Sequence, residues 1–134
     1  MIEYEKQAKR WLSQANEDMM AAQELFTSKK FAHACFFAEQ SCQKSLKGYL
    51  IGNKKQPSHI HAITDLIIEA GIIHDDFMTL LNDAKMLDKY YLTTRYPDAL
   101  PDSSLTPSEA YTAEEAEKAI EIAQRIFAQS SVRR

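Results

Sequence analysis

Glycine and proline are scarce in this 134-residue chain, at three and four residues. Few breakers, with abundant Ala, Glu, Lys, Gln and Leu, favour long helices, and strand patterns are absent. Cysteine is limited to Cys35 and Cys42. Seven residues along a helix separate them by roughly 10 Å, too far for an undistorted disulfide, so both are expected to be buried thiols. Without a cysteine framework or a signal-peptide pattern, a reducing cytoplasm is the expected location. No apolar run reaches the ~20 residues of a membrane-spanning helix, so no membrane partner is expected. An excess of positive charge is also missing: 16 Lys and Arg face 19 Asp and Glu, for a net −3. That excludes bulk wrapping of nucleic acid but leaves room for a local basic patch. Gly48, Gly52 and Gly71 form no phosphate loop, and no serine sits in a nucleophile elbow. His59 and His61 are two apart, a spacing that points them away from a shared metal on a helix. No metal and no cofactor is expected.

What is present is helical periodicity. Ala8, Leu12, Ala15, Met19, Ala22 and Phe26 recur at gaps of four and three, which predicts a first helix from about Tyr4 to Phe26. Phe31, Ala34, Ala38, Cys42, Leu46 and Tyr49 predict a second from about Lys30 to Ile51. Its extra apolar residues, Phe36 and Phe37 among them, mark it as the central helix of the fold. The segment from Gly52 to Pro57 should end it. A short helix is expected from about Ile60 to Ala70, with Gly71 as its C-cap, and a longer one from about Asp75 to Thr93, capped by Asp75 or Asp76. Residues 94–111, with three prolines, lack periodicity. Thr112 and Glu115 have capping-box spacing and open the last helix. The fold class is all-α: an up-down antiparallel bundle of about five helices in one domain, 1–134.

Two clusters stand out as candidates for chemistry. Gln40, Lys44 and Lys47 share one face of the second helix, where two ammonium groups can meet a phosphate or simply be solvated surface. The run Tyr90-Tyr91-Leu92-Thr93-Thr94-Arg95-Tyr96-Pro97-Asp98 gathers three tyrosines, an arginine and an aspartate. Arg95 suits a bidentate grip on phosphate, and tyrosines suit stacking on a base. A structural role fits the same residues: Arg95 pairing with Asp98 or capping a helix, and the tyrosines packing.

These residues, in this order, resemble the HEPN domain family, the "higher eukaryotes and prokaryotes nucleotide-binding" family. The resemblance runs over nearly the whole chain. It includes Arg10-Trp11 with Ala15, Asp18 and Ala22, the segment from Phe31 to Lys47 with its Ala38-Glu39-Gln40 core, His61 with Leu66, and Arg95-Tyr96-Pro97-Asp98. It implies a helical bundle that dimerises, and in some members a nucleotidyltransferase partner in a toxin–antitoxin pair. Ribonuclease members of the family carry an arginine followed, after four to six residues, by a histidine that acts on the RNA phosphate. With Arg95 as that arginine, the matching positions are Leu100, Pro101 and Asp102, and no histidine follows Arg95.

The missing histidine removes the usual general acid/base. The chain is therefore expected to be a non-catalytic module rather than an enzyme. It is expected to form a homodimer and to bind a nucleotide, an RNA phosphate or a nucleotidyltransferase-like partner. Arg95, Tyr96, Asp98, Lys44 and Lys47 are the candidate nucleotide or phosphate contacts. The alternatives are a toxin-like, metal-independent ribonuclease with a non-standard active site, and a purely structural assembly module.

Overall fold

In the computed structural model, residues 2–57, 59, 62–102 and 104–132 are described. They form seven α-helices: α1 (Glu3–Thr27), α2 (Phe31–Gly52), α3 (Ile63–Ile73), α4 (Leu81–Asp88), α5 (Tyr90–Thr93), α6 (Pro107–Ala110) and α7 (Ala113–Val132). Short 3-10 turns lie at Asp75–Leu80 and Pro97–Ala99. The described residues contain no strand, and no helix is long and apolar enough to cross a membrane. The all-α bundle expected from periodicity is the fold.

The α1–α2 hairpin is built on close approach. A Cβ placed on Gly48 would lie 3.0 Å from Leu12 Cγ and 3.3 Å from the Ala8 carbonyl. Ser41 Oγ donates 2.8 Å to the Ala15 carbonyl across the same seam. α2 is buried along most of its girth, from Ala32 to Leu50, and packs α1 on one side and α7 on another. It is the central helix, as its composition predicts. Tyr49 and Phe77, ring centroids 4.5 Å apart, sit in a core completed by Leu46, Ile63, Leu66, Leu87 and Ile126. Cys35 and Cys42 are free thiols in that core.

α2 closes inside the segment 52–57, as expected: the helix runs to Gly52, and Lys54 takes the left-handed turn at φ 62°. Lys55 N–H then reaches the Leu50 carbonyl at 2.9 Å and Lys54 N–H the Ile51 carbonyl at 3.0 Å, a Schellman ending without glycine. Gly71 does not cap α3 but lies inside it, where a Cβ would meet Met78 Sδ at 2.7 Å. His74, rather than Asp75 or Asp76, caps the next segment by accepting from Asp76 N–H at 3.3 Å. The predicted 75–93 helix is divided into a 3-10 turn, α4 and α5. Its break follows Asp88, whose carboxylate accepts from the Thr64 amide at 3.2 Å and from the Ile63 amide and the Thr64 hydroxyl. Asp88 thus satisfies open N–H groups at the start of α3 and pins the end of α4 there. The irregular stretch 94–111 holds α6, opened by a Thr106–Glu109 capping box. Thr112 caps α7 through the Glu115 amide at 3.2 Å, as its spacing predicts.

Candidate active-site cleft

Anchoring of α5 against the bundle decides where the site forms. Tyr90 is buried and meets Tyr111 edge-on at 5.3 Å, while Thr93 bonds the Tyr111 hydroxyl. Thr94 is buried and donates 2.5 Å to the Tyr90 carbonyl. One turn of α5 is thereby held against α2, with Tyr91 and Arg95 on its cleft side. There they join Trp11 of α1 and Phe36, Gln40, Gln43, Lys44 and Lys47 of α2 in a hollow of about 230 Å³.

Three of the predicted contacts therefore meet: Arg95, Lys44 and Lys47. Arg95 lies between aromatic rings, its guanidinium carbon 4.6 Å from the centre of Tyr91, 4.9 Å from Phe36 and 5.0 Å from Tyr96. Its Nε donates 2.9 Å to the Tyr91 carbonyl and so caps the short helix. Among the described residues no carboxylate pairs with Arg95: Asp98 stands exposed on the Pro97–Ala99 turn and makes no ion pair with it. Tyr96 is about half exposed and flanks the cleft through its contact with Arg95. The three tyrosines thus divide their roles: Tyr90 packs, Tyr91 lines the cleft and Tyr96 edges it.

Lys44 carries its own counter-ion. Its Nζ lies 2.5 Å from Asp18 Oδ2, and Gln14 donates 3.1 Å to the other Asp18 oxygen. Lys47 sits 5.7 Å from the centre of the Trp11 ring. Burial pushes its ammonium pKa down; Glu39 pulls it partly back and Lys44 adds to the lowering.

Beneath the cleft lies a carboxylate absent from the sequence-based candidates. Glu39 is fully buried, and its two oxygens accept from Gln43 Nε2 at 2.5 Å and Gln40 Nε2 at 2.8 Å. Burial raises its pKa from 4.5 to about 7; the two glutamine bonds oppose the rise, Asp88 adds to it and Arg95 reduces it. Both buried charges at this site were detectable in the residue pattern. Asp18 falls between Ala15 and Ala22 on the α1 stripe, and Glu39 between Cys35 and Cys42 on that of α2. A carboxylate at a core position of a helix is expensive unless bonded, and so is a marker of function.

At the position where a histidine would follow Arg95, Asp102 is fully solvated and accepts from Ser104 N–H at 2.9 Å and Ser104 Oγ at 2.6 Å. Those bonds hold its pKa below the ordinary value, which makes it a poor proton acceptor at neutral pH. His61 lies outside the described residues. His74 with Asp75 and Asp76 forms a further cluster, with ligand-type atoms within 4.8 Å of one another, a grouping able to hold a metal ion. It sits at the end of α3 opposite the Asp88 anchor, roughly 16 Å along the helix, and does not contribute to the cleft.

The HEPN domain model matches residues 8–131. The chain belongs to the HEPN domain family. It is 24% identical over 128 residues to a Methanocaldococcus jannaschii protein named "Putative toxin MJ1304", covering 91% of this chain and 84% of that one. The crystal structure of TT1696 from Thermus thermophilus superposes with a TM-score of 0.81 at 38% identity, over 93% of this chain and 96% of that one. ST0689, described as an archaeal HEPN homologue, gives 0.78 at 28%, over 95% and 97%.

These findings correct the expectation of a non-catalytic module and of a chain that is not an enzyme. HEPN membership, likeness to a protein named as a toxin and the His74–Asp75–Asp76 cluster point toward a catalytic, ribonuclease-like role. The physical reason the expectation failed is that it equated proton transfer with one histidine. A lysine lowered by burial and a glutamate raised to about 7 are both groups of altered proton affinity, and both converge on Arg95.

Proposed function

We propose that this HEPN domain is a metal-independent ribonuclease with a non-standard active site in the Arg95 cleft. The observation that carries the reading is the convergence of Arg95, Lys44 and Lys47 beside Trp11, above the buried Glu39. Metal-free RNA cleavage uses the strand's own 2′-hydroxyl as nucleophile. That oxygen bonds to phosphorus, its proton leaves to a base, and the 5′-oxygen departs taking a proton, which leaves a 2′,3′-cyclic phosphate. The protein must stabilise charge on the phosphate and move the protons.

Arg95 suits the first task, because among the described residues no carboxylate is ion-paired with it and its aromatic neighbours fix its plane. Lys47 suits proton transfer, because burial lowers its proton affinity below that of a solvated ammonium. Glu39 positions Gln40 and Gln43 at the cleft floor and supplies the negative potential that holds the cations together. Tyr96, in contact with Arg95, is assigned to the cleft rim, and Asp98, on the exposed turn that follows, to an outer contact. The domain is taken as one unit over 1–134, working as a homodimer and alongside a nucleotidyltransferase-like partner; these features rest on the family resemblance and are tested by light scattering with and without such a partner.

The decisive experiment incubates wild type and Arg95→Ala with single-stranded and structured RNA in EDTA. Wild type is expected to release cyclic-phosphate ends, and the variant to lose about 100-fold or more in rate. Equal cleavage by both proteins, or none by wild type, refutes the reading.

A further inference from the structure

The Arg95 cleft does not end at Trp11. Trp11 and Lys44 also line a second hollow of about 490 Å³, completed by Gln7, Arg10 and Gln14. This volume falls in the range of small-molecule sites, roughly 300–1,000 Å³. Gln7, Arg10, Trp11 and Gln14 follow at gaps of three, one and three, so a single face of α1 builds the wall. Arg10 is exposed, donates only a long 3.3 Å bond to Gln7 Oε1, and pairs with no carboxylate among the described residues. The two hollows therefore share an indole as their common wall, with an unneutralised arginine on each side of it.

We propose that the second hollow is a subsite for the nucleotide adjoining the scissile position of a single-stranded RNA, with its base stacked on Trp11 and its phosphate held by Arg10. The inference rests on the ribonuclease reading of the Arg95 cleft and extends it to the form of the substrate. Stacking on an indole needs a base with a free face, which a paired strand does not offer. The guanidinium fork of Arg10 matches a phosphate, and the amides of Gln7 and Gln14 can meet base edges. An acidic chain of net charge −3 then binds RNA through a short local track rather than through its whole surface.

Trp11 is the sole tryptophan, so its fluorescence reports on the wall that the two hollows share, and the Arg10 variants assign the signal to this subsite. The probe is a ten-nucleotide oligodeoxyadenylate, which lacks the 2′-hydroxyl and binds without being cut. It is expected to quench Trp11, and a duplex of the same length is not. Arg10→Ala is expected to weaken binding about five- to tenfold and to reduce the slope of log affinity against log salt by about 0.7. Arg10→Lys should restore the slope. Arg95-dependent RNA cleavage without quenching, or quenching indifferent to Arg10→Ala, overturns the subsite and leaves the ribonuclease reading intact. Arg10-dependent quenching without cleavage keeps the subsite and overturns the ribonuclease reading instead.

Discussion

Lys44 and Asp18, 26 residues apart in sequence, form an ion pair of 2.5 Å that joins α2 to α1 at the wall shared by the two hollows. The Asp18 side chain is 6% exposed and that of Lys44 27%, so the carboxylate is desolvated while the ammonium keeps contact with solvent. This asymmetry separates stability from binding. Asp18→Asn removes a buried charge-assisted bond and should cost about 1–3 kcal/mol in urea unfolding. The same change frees the Lys44 charge for phosphate and should tighten binding of the oligodeoxyadenylate at low salt. A variant that loses both stability and affinity would show that Lys44 acts only as a strut between helices.

Glu39 makes stability depend on pH, with a defined sign. Its pKa is about 7 in the folded chain against 4.5 when unfolded, so the folded state holds the proton more tightly. The contribution of the protonated form is complete below about pH 4.5 and is lost as pH rises through 7. The loss amounts to about 3 kcal/mol at most, since each pKa unit corresponds to about 1.4 kcal/mol. Glu39→Gln cannot ionise and should flatten this part of the profile, making the variant relatively more stable at pH 8 than at pH 5. Parallel urea midpoints for both proteins across that interval would mean that water reaches the carboxylate.

How much of this could be read beforehand follows from the range of each interaction. Helix periodicity is local, and it places α1 and α2 within a residue or two of Glu3–Thr27 and Phe31–Gly52. It also puts Gln40, Lys44 and Lys47 on one face, and all three line the cleft. The division of the segment 75–93 was not legible, because it accompanies a bond from Asp88 to Thr64, 24 residues away. The place of Arg95 against Phe36 is likewise long-range and was not legible; the resemblance marked Arg95 only as a motif arginine. Glu39 and Asp18 were legible in principle as carboxylates on buried stripes, but a single charge among many on helical sequence reads first as solvated surface.

Arg95 offers a test of geometry against charge. Its guanidinium stacks on Tyr91 and Phe36 while Nε holds the Tyr91 carbonyl, an arrangement that needs a plane and a fork. Arg95→Lys keeps the charge but loses both features. It should therefore cut RNA cleavage nearly as severely as Arg95→Ala. Because Arg95 is solvent-exposed, unfolding should shift by under about 1 kcal/mol in either variant. Full activity in Arg95→Lys would reduce the role of Arg95 to a simple positive charge.

The α1–α2 turn carries strain that can be removed without touching the cleft. α1 ends in a Schellman motif: Lys30 N–H meets the Leu25 carbonyl at 2.8 Å and Lys29 N–H the Phe26 carbonyl at 3.0 Å. The motif requires a left-handed residue, and Lys29 supplies it at φ 61°. A side chain there crowds the following carbonyl and costs roughly 1–2 kcal/mol relative to an unstrained backbone, whereas glycine adopts the conformation freely. Glycine also gives the unfolded chain more freedom, which offsets part of the gain. Lys29→Gly should therefore stabilise the protein by about 0.5–1 kcal/mol, with RNA cleavage unaltered, since Lys29 lines neither hollow. A loss of stability on this substitution would mean that the Lys29 side chain makes a contact worth more than the strain of its backbone.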